Sequence, residues 1–297
     1  MSSLVWEERP SLRHPILVAA FTGWNDAGDA ATDAIELLAR QYDAEQVGYV
    51  DPEEHIDFQA LRPTVVITDG VTREIRWPGT RILAARVPDA ARDLVLVLGP
   101  EPHLKWRDYC DAILEVVGEL GCELAVTLGS LLADASHHRP VRITGSTTEP
   151  ALMARLGMSR SRYEGPTGIV GVLHDVLRSS GVPSASLWAP VPHYVASPPN
   201  PPAQLALLEG LAALAEIPIG LGELRVQTAA WRARIDAFVA DDDDLSQYVA
   251  RLDAQAEDEA GGEAGEDLGV LADEDELPSG DALAAELEAF LREQGLE

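Results

Sequence analysis

The chain has 297 residues, enough for one large α/β domain or two smaller ones, and a hydrophobic content of 46% that is ample for a core. Its formal charge of −28 argues against nucleic acid or an anionic membrane surface as a partner, because both carry the same sign. That charge is uneven: from residue 241 onward, 20 acidic residues stand against Arg251 and Arg292, a net −18, leaving −10 on the first 240.

The opening MSSLVWEERP lacks a basic region followed by an apolar one, so it does not read as a signal peptide. An apolar run at 16–21 then stops at the small-residue turn Thr22-Gly23-Trp24-Asn25-Asp26-Ala27-Gly28, and an alanine-rich helical pattern continues to about residue 40. This predicts a buried parallel strand, a tight loop at its carboxyl end and a helix returning along the sheet. Further strands are predicted at 46–50, 64–68, 81–85 and 94–99. Val65-Val66-Ile67 and Leu94-Val95-Leu96-Val97-Leu98 are continuously apolar, as in strands covered on both faces. Asp69-Gly70 and Pro78-Gly79 mark turns and 74–77 reads as a short hairpin arm, so 46–85 is expected to be partly antiparallel.

A helix stripe of Tyr109, Cys110, Ile113, Leu114, Val117 and Leu120 spans 106–120 and stops at Gly121. A buried strand at 123–128 leads into a second strand-end loop, Gly129-Ser130-Leu131, and Ile143-Thr144-Gly145-Ser146 reads as a third. A short helix with proline at its first position is predicted at 150–156. Glu164-Gly165-Pro166-Thr167-Gly168 leads into a helix to about 179, with Thr167 or Gly168 as its cap. A strand at 183–189 ends in Ala189-Pro190-Val191-Pro192-His193-Tyr194. Ser197-Pro198-Pro199-Asn200-Pro201-Pro202 reads as a stiff linker ahead of helices at 203–215 and 223–239.

Beyond this, four acids at 241–244 flank a helix predicted at 245–256. Residues 257–277 hold too few large apolar groups to fold alone. The stretch 281–294 turns helical again, with Leu283, Leu287, Phe290 and Leu291 on one narrow apolar stripe. So short a helix is marginal in water and needs its own body or a partner to dock on, which makes these four the candidate partner-binding residues. The expected organisation is an α/β domain over 1–240 and an acidic, partly disordered extension over 241–297 ending in an amphipathic helix. No apolar run approaches the roughly 20 residues needed to span a bilayer.

In a parallel α/β sheet, ligands bind outside the carboxyl ends of the strands. The loops that fall there offer Thr22, Asn25, Asp26, Gly28, Gly129, Ser130, Glu164, Thr167, Gly168, His193 and Tyr194 as ligand-binding candidates. Amides, two carboxylates, an imidazole and a phenol suit an anion or a small polar ligand. The same glycines and threonines also make ordinary tight turns, and Asn25 or Asp26 is equally an N-cap. Glu164 is the carboxylate expected to be semi-buried, binding amides or acting in catalysis. Asp134, His137 and His138 invite a metal reading, but Ala135, Ser136 and Arg139 read as a surface loop and no third ligand stands at metal spacing. No metal or cofactor is therefore expected. The sequence holds no phosphate loop, dinucleotide turn, nucleophile elbow or H-E-x-x-H, so no catalytic residue is assigned. Trp24, Trp77, Trp106 and Trp188 read as packing or interface residues, and Cys110 and Cys122 as free thiols of a reducing cytoplasm.

The stretch Phe21-Thr22-Gly23-Trp24-Asn25-Asp26-Ala27-Gly28-Asp29-Ala30-Ala31 resembles the opening motif of the PAC2 family, the relatives of proteasome assembly chaperone 2. The Gly129-Ser130 strand end, Glu164-Gly165-Pro166-Thr167-Gly168 and Ala189-Pro190-Val191-Pro192-His193-Tyr194 follow in the family's order. The likeness covers about 15–240, and the acidic extension resembles the actinobacterial branch. It implies a purine nucleoside phosphorylase-like α/β fold: a mixed, largely parallel sheet flanked by helices, with a C-terminal helical extension, assembled as a homotrimer. Eukaryotic and archaeal relatives chaperone the assembly of proteasome α-subunits, some through a carboxyl-terminal hydrophobic–Tyr–any tripeptide. This chain ends Gly295-Leu296-Glu297, without that tyrosine.

Two functions are carried forward. The first is a non-enzymatic, cytoplasmic, homo-oligomeric interaction or assembly-chaperone-like protein, with proteasome subunits as the partner class that the resemblance implies. The alternative is a small-ligand (nucleoside-like) binding protein, or a hydrolase or phosphorylase, working through the strand-end loops. Phosphorylases need cationic or amide donors around phosphate, and these loops hold few basic residues.

Overall fold

The computed structural model describes residues 3–68, 70–148, 159–160 and 164–261. Its strands are β1 (Leu4–Trp6), β2 (Ile16–Thr22), β3 (Glu45–Val50), β4 (Thr64–Thr68), β5 (Thr72–Arg76), β6 (Thr80–Ala85), β7 (Leu94–Pro100), β8 (Leu124–Ala133), β9 (Thr144–Thr147), β10 (Ser159–Arg160) and β11 (Ser184–Pro192). The helices are α1 (Ala30–Gln41), α2 (Trp106–Leu120), α3 (Ile169–Ser179), α4 (Pro201–Ala215), α5 (Gly222–Ala240) and α6 (Asp243–Gly261). The helices predicted at 150–156 and 281–294, with Leu283, Leu287, Phe290 and Leu291, lie outside the described residues. No helix among the described residues is long and apolar enough to cross a membrane.

Strand β2 explains the layering. Every residue from Ile16 to Phe21 is fully buried, and alternate side chains serve opposite faces. Ile16, Val18 and Ala20 join α1 and α4 in one core, while Leu17, Ala19 and Phe21 join α2 and α3 in the other. A strand wetted on neither face needs neighbours on both edges, and parallel neighbours need helical crossovers. Both conditions hold: β7, β2, β8 and β11 run parallel side by side.

Among the described residues, nine strands form one mixed sheet in the order β1-β3-β6-β7-β2-β8-β11-β9-β10. Strands β1, β3 and β6 extend it antiparallel on one side; β9 lies antiparallel to β11 on the other, with β10 parallel to β9. Helices cover both faces, and α5 and α6 continue the chain as a carboxyl-terminal helical part. The mixed α/β architecture expected from the sequence is thus present.

Several elements differ from their sequence reading. Strand β4 is not covered on both faces: it pairs only with β5 in a separate two-stranded sheet, and Val65 and Ile67 face solvent. Three apolar residues between threonines mimic a core strand but bury little. Gly129-Ser130-Leu131 and Thr144-Gly145-Ser146 are strand, not loop, because β8 runs on to Ala133 beside β11, and β9 pairs with β11. The proline-rich stretch is only partly a linker: Pro201 opens α4 and Asn200 caps it, its Oδ1 accepting the Ala203 amide at 3.1 Å. The short edge strand β1 escaped the sequence reading.

Helix ends follow their chemistry. Gly121, at φ 66°, closes α2 as a left-handed C-cap. Asp242 Oδ1 accepts the amides of Asp244 and Leu245, both at 3.0 Å, at the start of α6. Cys110 is buried and Cys122 half-buried, both are free, and burial pushes each thiol up to about 12. Neither thiol is a nucleophile at neutral pH.

Asp93 latches the start of β7 to the segment before β2. Its carboxylate accepts the Arg13 amide at 2.7 Å, Arg13 Nη2 at 2.6 Å and the Val87 amide at 3.1 Å. Burial pushes this carboxyl upward, but the Arg13 side chain and the two amides outweigh it and hold it below its ordinary value. A depressed folded value means stability present above the usual carboxylate range, near 3.9, and lost as pH falls through the lower folded value. Asp93→Asn is therefore expected to lose about 2–3 kcal/mol at pH 7 and to show a flatter acid limb than wild type in urea denaturation between pH 7 and pH 3.

Candidate functional site

The carboxyl ends of β7, β2, β8 and β11 lie along one rim of the sheet; the 22–28 turn leaves β2, His193 and Tyr194 follow β11, Gly129 and Ser130 lie within β8, and 164–168 leads into α3. Leaving β2, the chain turns through Asn25 and Asp26, which are 1% and 4% exposed. Asp26 pairs with Ser130 as an isolated parallel bridge, the Ser130 amide donating to Asn25 O at 2.8 Å. Ser130 Oγ donates to Ala27 O at 2.9 Å. The turn out of β2 is therefore fastened directly to β8.

Side chains of this chain occupy the helix starts at the rim. Asp26 Oδ1 accepts the Ala31 amide at 2.8 Å and the Thr32 amide at 3.3 Å, and Oδ2 accepts the Thr32 hydroxyl. Asp26 thus takes the amides of Ala31 and Thr32 in the first turn of α1 from outside the helix, whose N-cap position is Asp29, while Asn25 turns away. Asn25 Nδ2 donates to Glu101 Oε1 at 2.7 Å, and that same oxygen accepts the Ile169 amide, the first of α3, also at 2.7 Å. Glu101 places a carboxylate where the α3 dipole favours an anion. Burial pushes the Asp26 carboxyl above its ordinary value, against the pull of the Thr32 hydroxyl and the Ala31 and Thr32 amides.

Glycines at the rim admit neighbouring side chains. A Cβ on Gly129 would stand 2.7 Å from the Trp188 ring, and one on Gly168 would overlap the Asn25 amide. Gly28, at φ 62°, has its would-be Cβ 2.8 Å from Asn200 Cβ, and Gly28 O accepts the Asn200 amide at 3.0 Å. Asn25, Asp26, Gly28, Ser130 and Gly168 are thereby joined in one packed assembly. Gly168 is the N-cap of α3, its side-chain role taken by Glu101. Thr22 is exposed at the end of β2, its carbonyl accepting the Glu101 amide at 3.0 Å. Thr167 is exposed beside Gly171. Glu164 is exposed, not semi-buried as the sequence suggested, because the loop ahead of α3 turns it to solvent.

His193 and Tyr194 belong to a second assembly, between the loop after β8 and the terminal helices. Tyr194 Oη accepts the His137 amide at 2.9 Å and lies 2.7 Å from His137 Nδ1. His137 Nε2 is 3.0 Å, and His138 Nε2 3.1 Å, from Asp236 Oδ1 on α5. His138 Nδ1 is 2.7 Å from Asp253 Oδ2 on α6, and Tyr248 Oη donates to Asp134 Oδ1 at 2.7 Å. His193 Nε2 lies 4.0 Å from Asp134. The third ligand that local spacing did not offer is Asp236, so His137, His138 and Asp236 are the described residues able to hold a metal ion. Glu101, Asp236 and Asp253 were missed by sequence reasoning, since each acts on residues many tens of positions away and no local pattern marks it.

Residues 20–239 match the model of the PAC2 family. The chain belongs to the PAC2 family. Among solved structures, a PAC2 family protein from Streptomyces avermitilis is 47% identical, with a TM-score of 0.74 over 79% of this chain and 99% of that one. A proteasome-assembly chaperone homologue from Mycobacterium tuberculosis is 44% identical, with a TM-score of 0.73 over 79% of this chain and 99% of that one. An archaeal proteasome activator from Pyrococcus furiosus, 18% identical with a TM-score of 0.63 over 79% of this chain and 97% of that one, shares the fold. Among curated protein sequences, none matches this chain. The family expected from the four sequence motifs is therefore the right one, and both actinobacterial structures lie within it.

In this PAC2 protein the Asp26 contact with the first turn of α1 makes a signed prediction. Its folded value is raised, so ionisation costs stability as pH climbs through that value, and a neutral amide that keeps the acceptor loses little at pH 7. Asp26→Asn is expected within about 1 kcal/mol of wild type in urea denaturation at pH 7, whereas Asp26→Ala loses about 1–2 kcal/mol. The wild type should gain on the Asn variant as pH is lowered.

Proposed function

We propose that this PAC2 protein is a non-enzymatic, cytoplasmic, oligomeric interaction protein of assembly-chaperone type, with proteasome subunits as its partner class. The observation that carries this reading is the β4–β5 hairpin. Val65, Ile67 and Ile75 share one face of the pair, Val65 opposite Ile75 and Ile67 opposite Arg73, and the three are 54–61% exposed; Val71 in the turn and Trp77 just past β5 are exposed as well. A two-stranded sheet is marginal on its own, and exposed apolar side chains gathered on one hairpin fit a protein–protein contact. We assign this face to self-association, with the trimer that the family likeness implies as the assembly. The partner class rests on relatives described as a proteasome-assembly chaperone homologue and a proteasome activator. The body over 1–240 and the acidic extension over 241–297 are two parts in this reading, joined where Tyr248 and Asp253 meet the loop after β8.

The rim speaks against the ligand-binding alternative. Phosphate entering there would have to displace Glu101 from the Ile169 amide and Asp26 from the Ala31 amide, against a strongly negative chain. A thermal-shift panel of nucleosides and phosphate is accordingly expected to be flat.

Light scattering on the eluting full chain tests the interaction reading. Wild type should elute as a multimer, and Val65→Asp combined with Ile75→Asp should elute at the mass of one chain with the circular dichroism of a folded protein, since both side chains are exposed in the single chain. A wild type at single-chain mass that recovers no proteasome α-subunit in a pull-down contradicts the proposal.

A further inference from the structure

The histidine cluster between the β8 loop and the terminal helices has the chemistry of a metal site. His137 and His138 are chain neighbours, yet both aim Nε2 at the single oxygen Asp236 Oδ1, at 3.0 and 3.1 Å. The three ligand atoms all lie within 4.8 Å of one another. Ligands at about 2.0–2.1 Å from a tetrahedral zinc ion stand roughly 3.3 Å apart, so an ion fits with only a small opening of the cluster.

The outer nitrogens are already oriented. His138 Nδ1 is 2.7 Å from the Asp253 carboxylate, and His137 Nδ1 is 2.7 Å from Tyr194 Oη. A carboxylate or hydroxyl on the far nitrogen of a ligating imidazole fixes its tautomer and raises its basicity. Asp253 can only accept, so a neutral His138 donates to it from Nδ1 and presents the Nε2 lone pair to Asp236, acceptor facing acceptor. A cation between them removes that mismatch and serves His137 as well.

We propose that His137 Nε2, His138 Nε2 and Asp236 Oδ1 bind one divalent transition-metal ion, zinc by the character of the donors, with Tyr194 and Asp253 as positioning residues. Two imidazoles and a carboxylate suit zinc better than the hard cations, which take oxygen sets. His138 and Asp236 are half-exposed, so the ion enters from solvent and water completes its shell. Bound there, it ties the β8 loop to α5 directly, and to α6 through Asp253. The metal thereby clamps the terminal helices to the rim, and the proposal is independent of the interaction reading above.

The test uses tag-free, full-length protein stripped with a chelator and then freed of it. Zinc titrated by calorimetry should bind wild type at one ion per chain, and cobalt(II) should give the visible absorption of a tetrahedral site. His138→Gln and Asp236→Asn should each weaken zinc binding at least tenfold, abolish that absorption and remove the zinc-dependent rise in Tm seen in wild type. Both substitutions are at half-exposed positions, and circular dichroism checks that the variants fold. Absence of binding in wild type, the result of a cluster held by protons alone, overturns the proposal. Equal binding in wild type and both variants, as the acidic extension by itself would give, overturns it too.

Discussion

The structure depends on one strand that water touches on neither face. Each large apolar side chain buried from β2 contributes about 1.5–3 kcal/mol, and the residues alternate between two cores, so a one-residue slip would exchange Ile16, Val18 and Ala20 for Leu17, Ala19 and Phe21 and mispack both. The strand must be paired on both edges, and its parallel partners must return by helices above and below. The rim where β7, β2, β8 and β11 end follows from that constraint. So does the problem the rim has to solve, because the helices starting there expose unpaired amides.

This chain solves it with its own carboxylates. Asp26 takes the first turn of α1 and Glu101 takes the first amide of α3, while Asn25 ties Glu101 to the turn out of β2. A phosphate-binding relative of such a fold would leave those amides for its ligand. Here they hold the loops together, and the glycines at 129 and 168 give space to Trp188 and Asn25. What the molecule presents outward is different in kind: exposed apolar side chains on the β4–β5 hairpin and an acidic α6.

Much of the framework was legible in the sequence, because burial on two faces writes a continuous apolar run. The runs at 16–21 and 94–98, the stripe closing at Gly121 and the acids before α6 all sit in the structure close to where their patterns placed them. The same rule misread β4, since Val65-Val66-Ile67 is as apolar as a core strand and only tertiary pairing tells that it is exposed. Glycine and serine at 129–130 suggested a loop, yet β11 supplies a partner that carries β8 onward. Asn200 before two prolines is an N-cap signature that the surrounding prolines concealed. Glu101 and Asp236 were illegible altogether: each acts only after the fold has brought distant segments together, and a lone acid after a strand or within an exposed helix carries no local mark.

Hydrogen exchange of the full chain, followed as protein concentration is raised and again with nucleoside and phosphate added, tests the central claim most directly. The β4–β5 amides should become protected with concentration, while the amides of 25–32 and 168–170 stay slow and unchanged by either additive. A hairpin that exchanges freely at every concentration, together with rim amides that slow only when nucleoside or phosphate is present, would contradict the account.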